Sequence, residues 1–141
     1  MSASPKLDLS QLQPGRTGTA TFVVGEEHTA PRVGSGRAPV LATPMMIARM
    51  EAAAVDCVES ALPSGCESLG VRIDVEHSAP TPVGMTVTAI AELTEVSGRL
   101  LSFHVEARDD GGVIGQGRHT RVVVDAERFR AKVAARRTPV N

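Results

Sequence analysis

Apolar and polar positions change period along the chain. From Met45 to Leu62 the run MMIARMEAAAVDCVESAL has a helical period, with Arg49, Asp56, Glu59 and Ser60 on one side. Ile47, Met50, Ala54, Val55, Val58 and Leu62 form the opposite arc. Thr43-Pro44 predicts the helix start, with threonine as N-cap and proline at the first helical position. Pro63-Ser64-Gly65 ends it. About 18 residues give a length of roughly 27 Å, and a helix this apolar is expected to be wrapped by other elements. After it the period falls to two. Val71, Ile73 and Val75 alternate with Arg72, Asp74 and Glu76, and Gly84 to Val96 alternates again, with Met85, Val87, Ala89, Ala91 and Leu93 on one face. Leu101 to Arg108 and Val113 to Val124 supply two more strands. Ser97-Gly98 and Asp109-Asp110-Gly111-Gly112 mark hairpin turns.

Before the helix, Thr17 to Val24 reads as a strand and residues 25–42 as a loop with a short extended piece at Pro39 to Leu41. Residues 1–15 read as a flexible arm leading into a turn at Pro14-Gly15. Asp125 caps a short final helix that ends near Ala135. The order predicts an α+β fold in which an antiparallel sheet wraps one long central helix, as a single domain over residues 1–141. With no βαβ alternation and no glycine-rich phosphate loop, a doubly wound nucleotide fold is excluded. Long strands in so small a chain leave sheet edges open, so the expected assembly is a homodimer.

Two ionisable residues break the apolar patterns. Glu51 projects roughly 140° from the centre of the helix's polar side, among its apolar residues. An ionised carboxylate there costs several kcal/mol unless it is paired. Continuing the alternation from Val71 through Val75 puts His77 on the inward face of the next strand. Each residue alone reads as a hydrogen-bonded core or interface group. Together they read as a site, because acid–base chemistry needs paired groups with tuned pKa values. Thr43 is a third candidate, although capping alone explains a threonine at a helix start. Eight helical residues would hold Thr43 about 12 Å from Glu51. The two would meet through a shared substrate, a bend in the chain, or a contact across a dimer. His104 falls on a polar strand face, and the face of His119 is ambiguous.

Composition removes other classes. The net charge is −1, with 15 basic and 16 acidic residues, and there are three Phe and no Trp or Tyr. That excludes the basic stripe and stacking platforms of a nucleic-acid binder. The basic residues from Arg128 through Arg137 read as a solvated helix face and tail. No run reaches the ~20 apolar residues that span a bilayer, and the N-terminus lacks a signal-peptide pattern, so no membrane partner and a cytoplasmic location are expected. Cys57 and Cys66 lack metal or redox spacing and read as free thiols. No zinc-type spacing occurs, so neither a metal nor another cofactor is expected.

The helix with Glu51, the run SLGVRIDVEHSAPTPVGMTVTAIAEL, the strand RLLSFHVEARD and the segment GQGRHTRVVVDAERFRAKV resemble the hot-dog fold. Within it they resemble the fluoroacetyl-CoA thioesterase family, over about two thirds of the chain from Thr43 onward. The resemblance implies hydrolysis of a small acyl-CoA thioester to a carboxylate and coenzyme A. It implies a catalytic set of Thr43, Glu51 and His77, with Glu51 as nucleophile or general base. It also implies substrate contact from the Gly70 backbone, Arg121 near the active site, and a homodimer with sites at the subunit interface. The fluoroacetyl-specific enzyme carries lid phenylalanines in a longer segment before the helix, whereas residues 25–42 here contain no Phe, Tyr or Trp. Two rival readings use the same fold. One is a non-catalytic protein that binds acyl-CoA or another small ligand. The other is a hydratase built on a nearby Asp and His; it ranks low because Asp74 and His77 fall on opposite strand faces.

Overall fold

The computed structural model describes residues 7–137. Strand β1 (Thr17–Val23) comes first, then a 3-10 turn at Glu26–His28 and the one-turn helix α1 (Ala30–Val33). The long helix α2 (Thr43–Val58) runs on as a 3-10 turn at Glu59–Ala61. Strands β2 (Cys66–His77), β3 (Thr86–Ser97), β4 (Leu100–Asp109) and β5 (Gly112–Asp125) follow, then helix α3 (Ala126–Ala135). The five strands form one antiparallel sheet in the order β1-β3-β4-β5-β2. This is the expected α+β arrangement, with the sheet curled around α2.

Period-two patterning determines which side of the sheet meets the helix. Val87, Ala89, Ala91 and Leu93 on β3 and Leu101, Phe103, Val105 and Ala107 on β4 are buried. They pack against Met46, Met50, Ala53, Ala54, Cys57 and Val58 of α2. Small residues let the layers approach closely. A Cβ on Gly18 of β1 would run into the Ala53 carbonyl and the Cys57 backbone nitrogen. A Cβ on Gly115 of β5 would sit 2.6 Å from Met46 Sδ.

Three local predictions differ from what forms. The N-cap of α2 is Ala42, and Thr43 is the first helical residue, so its hydroxyl is not spent on capping. The β3–β4 turn consists of Gly98 and Arg99, one residue later than expected; Gly98, at φ 60°, takes the left-handed position. Val71 is 56% exposed rather than inward, because β2 changes register against β5 between Gly70 and Arg72. The extra residue is a β-bulge, which moves the alternation by one. Ser68 and Gly70 face the helix before it, and Ile73, Val75 and His77 after it.

Of the segment expected to be a flexible arm, residues 1–6 lie outside the described residues. From Leu7 onward it is docked: Leu12 is buried, and the Gly15 amide donates to the Leu93 carbonyl at 2.8 Å. The final helix begins as expected, with the Asp125 carboxylate accepting from the Arg128 amide at 2.9 Å.

Candidate active site

The bulge and the helix start create two groups of polar side chains. In the first, Thr43 and His77 meet: Thr43 Oγ1 lies 2.7 Å from His77 Nδ1. The contact closes because Thr43 is free of capping and because the bulge delivers His77 to the inner face. The pair lines a cavity of about 370 Å³, together with Ala30, Arg37, Leu41 and Ala79. Burial pushes the His77 imidazole below its ordinary value, with the nearby Ala79 backbone pulling the other way. Its Nε2 is buried with no hydrogen-bond partner among the described residues.

Glu51 anchors the second group. Its side chain is 44% exposed, so the deeply buried carboxylate expected from helical angle is not formed. The buried stripe of α2 runs through Met46, Met50, Ala53 and Cys57, and Glu51 lies on its flank. There it lines a cavity of about 200 Å³ with Gly70, Val71, Ile73 and His119. Glu51 Oε2 is 3.7 Å from Arg121 Nη1. A Cβ on Gly70 would stand 2.7 Å from the same oxygen, so glycine is what leaves the carboxylate room beside β2.

Arg121 is only 6% exposed and tightly held. Its Nε donates to Ser68 Oγ at 2.8 Å and its Nη2 to the Ser68 carbonyl at 2.9 Å. Ser68 Oγ donates in turn to Glu59 at 3.1 Å. Burial lowers the Arg121 pKa, while Glu51 and then Glu59 oppose the shift, and the side chain remains a cation.

Within one chain, therefore, Thr43 meets His77, and Glu51 meets Gly70 and Arg121. Glu51 and His77 do not touch. Sequence patterning assigned no role to Ser68, Glu59 or His119. The spacing of His119 and Arg121, two apart on β5, offered a signal, but the extra residue Ile114 in β5 obscured which face they share. His104 is exposed, as expected for the convex face. No three His, Cys, Asp or Glu side chains among the described residues are grouped to hold a metal ion.

One family matches along most of the chain: residues 24–127 fit the family described as fluoroacetyl-CoA-specific thioesterase. The chain belongs to that family. A fluoroacetyl-CoA thioesterase from Streptantibioticus cattleyicolor is 48% identical over 94 residues, covering 67% of this chain and 68% of its own. A solved structure of a fluoroacetyl-CoA thioesterase superposes with a TM-score of 0.84 at 40% identity, covering 91% of this chain and 98% of that one. A hot-dog-like protein from Thermanaerovibrio acidaminovorans gives 0.84 at 25% identity, over 93% and 97% of the two chains. Membership of the fluoroacetyl-CoA-specific thioesterase family thus accounts for the sheet order and the central helix. This member is a hot-dog thioester hydrolase.

Proposed function

We propose that this thioesterase hydrolyses small acyl-CoA thioesters, using Thr43, Glu51 and His77 at a site completed across a homodimer. The observation that carries the reading is Glu51. It is a partly exposed carboxylate in a cavity, facing the Gly70 backbone and a buried arginine, in a chain of the thioesterase family.

Two routes balance. As general base, Glu51 takes a proton from water and the resulting hydroxide attacks the thioester carbonyl. The tetrahedral intermediate then expels the coenzyme A thiolate, which takes up that proton. As nucleophile, Glu51 attacks directly and forms a mixed anhydride while the thiolate leaves; water then cleaves the anhydride. In both routes the Gly70 amide polarises the carbonyl, and Arg121 aims the carboxylate. His77, held by Thr43, passes protons near the leaving sulfur.

The edge strand supports the dimer. β2 pairs with β5 on one side only, and it carries both Gly70 and His77. A second copy along that edge brings the Thr43–His77 pair of one subunit toward the Glu51 group of the other. The unpartnered Nε2 of His77 fits such a site, since a buried polar atom without a partner costs free energy and is otherwise rare. The loop over residues 25–42 lines the Thr43 cavity with Ala30, Ser35, Arg37 and Val40 and without any Phe, Tyr or Trp, which favours small acyl groups other than the fluoroacetyl group of the relatives.

The experiment is hydrolysis of a panel of acyl-CoAs of increasing chain length. Turnover confined to short acyl groups supports the proposal, and binding without turnover of any of them defeats it. A single turnover in oxygen-18 water separates the routes, because label enters the Glu51 carboxylate only through the anhydride.

A further inference from the structure

We infer that His119 is a positioning residue: a neutral imidazole that aims Arg121 at Glu51 and pins the bulge that presents Gly70. The inference rests on the reading of Glu51 as the reacting carboxylate.

The geometry fixes the protonation of the ring. His119 is 2% exposed and stacks on Phe103, with ring centroids 5.9 Å apart. Its Nε2 lies 3.1 Å from Arg121 Nη1, and its Nδ1 lies 2.7 Å from the Arg72 carbonyl oxygen. A guanidinium has only donors and a carbonyl only accepts. So Nε2 must be the acceptor and Nδ1 must carry the proton. A doubly protonated ring would set an N–H against the Arg121 N–H. The surrounding charges agree: burial first, and then the Arg121 cation, push the imidazole below its ordinary value, against the Arg72 carbonyl and Glu51.

Each end of the ring then holds a different part of the site. Arg121 is clamped at Nε and Nη2 by Ser68, and His119 occupies one N–H of Nη1. The second Nη1 hydrogen is left for Glu51 Oε2, 3.7 Å away. At the other end, the Arg72 carbonyl belongs to the residue immediately after Val71, the extra residue of the bulge. Fixing that carbonyl fixes the change of register, and with it the position of Gly70. A Cβ built on Gly70 would lie 2.7 Å from Glu51 Oε2, 3.2 Å from His119 Cε1 and 3.4 Å from Arg121 Nη1. The three side chains thus close around a single backbone atom. His119 has almost no surface to offer a substrate, so it acts through Arg121 and Gly70.

The test compares His119→Leu and His119→Gln on a hydrolysed short acyl-CoA, together with nitrogen-15 NMR of the wild-type histidine rings. Leucine fills the space and loses both bonds, so kcat should fall about tenfold to a hundredfold, by more than KM rises. Glutamine offers an amide oxygen near the place of Nε2 and should restore kcat to within about threefold of wild type. The His119 ring should show the neutral Nδ1–H tautomer at pH 7. Wild-type kcat in the leucine variant, an equal loss in both variants, or an Nε2–H or doubly protonated ring would each overturn the inference. If the leucine variant fails to fold, the glutamine variant and the tautomer decide. If wild type hydrolyses no acyl-CoA, the thioesterase reading fails separately, and the tautomer still tests the positioning role.

Discussion

Thr43 and His77 share a 2.7 Å hydrogen bond because the helix start leaves the threonine hydroxyl uncommitted. A Thr43→Ser substitution keeps that hydroxyl and should retain most activity. Thr43→Val removes it at nearly constant volume and should reduce kcat by about tenfold to a hundredfold, as steady-state kinetics will show. Burial holds both His77 and His119 below the ordinary imidazole value of 6.5. The unfolded chain therefore binds protons that the folded chain refuses as pH falls below that value. This contribution to stability is complete above pH 6.5 and is lost as pH falls toward the lowered folded values. The urea midpoint should drop between about pH 7.5 and 5.5, and His119→Gln should make the drop shallower. Patterning selected Glu51 and His77 as a pair. Their partners within one chain, Arg121 and Thr43, were not legible as contacts, because both depend on the helix start and on a bulge that no local period announces.

At the scale of elements, helix and strands were legible because α2 keeps one period throughout and the long inner runs over residues 87–93, 101–107 and 117–123 alternate without interruption, although β3 and β5 each carry an extra residue, Thr94 and Ile114. The miss at Val71 has a definite cause. One inserted residue exchanges the two faces of a strand, so alternation read from Val71 failed for Val71 and held for Ile73, Val75 and His77. The short helical turns over residues 26–33 were also invisible, since four-residue helices carry no period to read. The packing of α2 on β1 gives a sharper test. A Cβ on Gly18 meets helix backbone, which cannot swing aside as a side chain would. Gly18→Ala should therefore destabilise the protein by roughly 1–3 kcal/mol, measured by urea unfolding. Unchanged stability would mean that helix and strand are not held as close as described.

For the molecule as a whole, the open edge of β2 is the feature with the largest consequence. It carries twelve residues of strand, includes Gly70 and His77, and exposes Val71 beside the Glu51 cavity. Sedimentation equilibrium should give twice the mass of one chain, and mixing Glu51→Gln with His77→Ala subunits should restore part of the activity that each variant lacks. A monomer that retains full activity would contradict an interfacial site. The central claim is that the Glu51 carboxylate carries the reaction, and hydrolysis of a short acyl-CoA by Glu51→Gln, checked for an unchanged circular dichroism spectrum, tests it most directly. The account predicts a loss of at least about a hundredfold in kcat relative to wild type. A folded Glu51→Gln variant that turns over at the wild-type rate would contradict it.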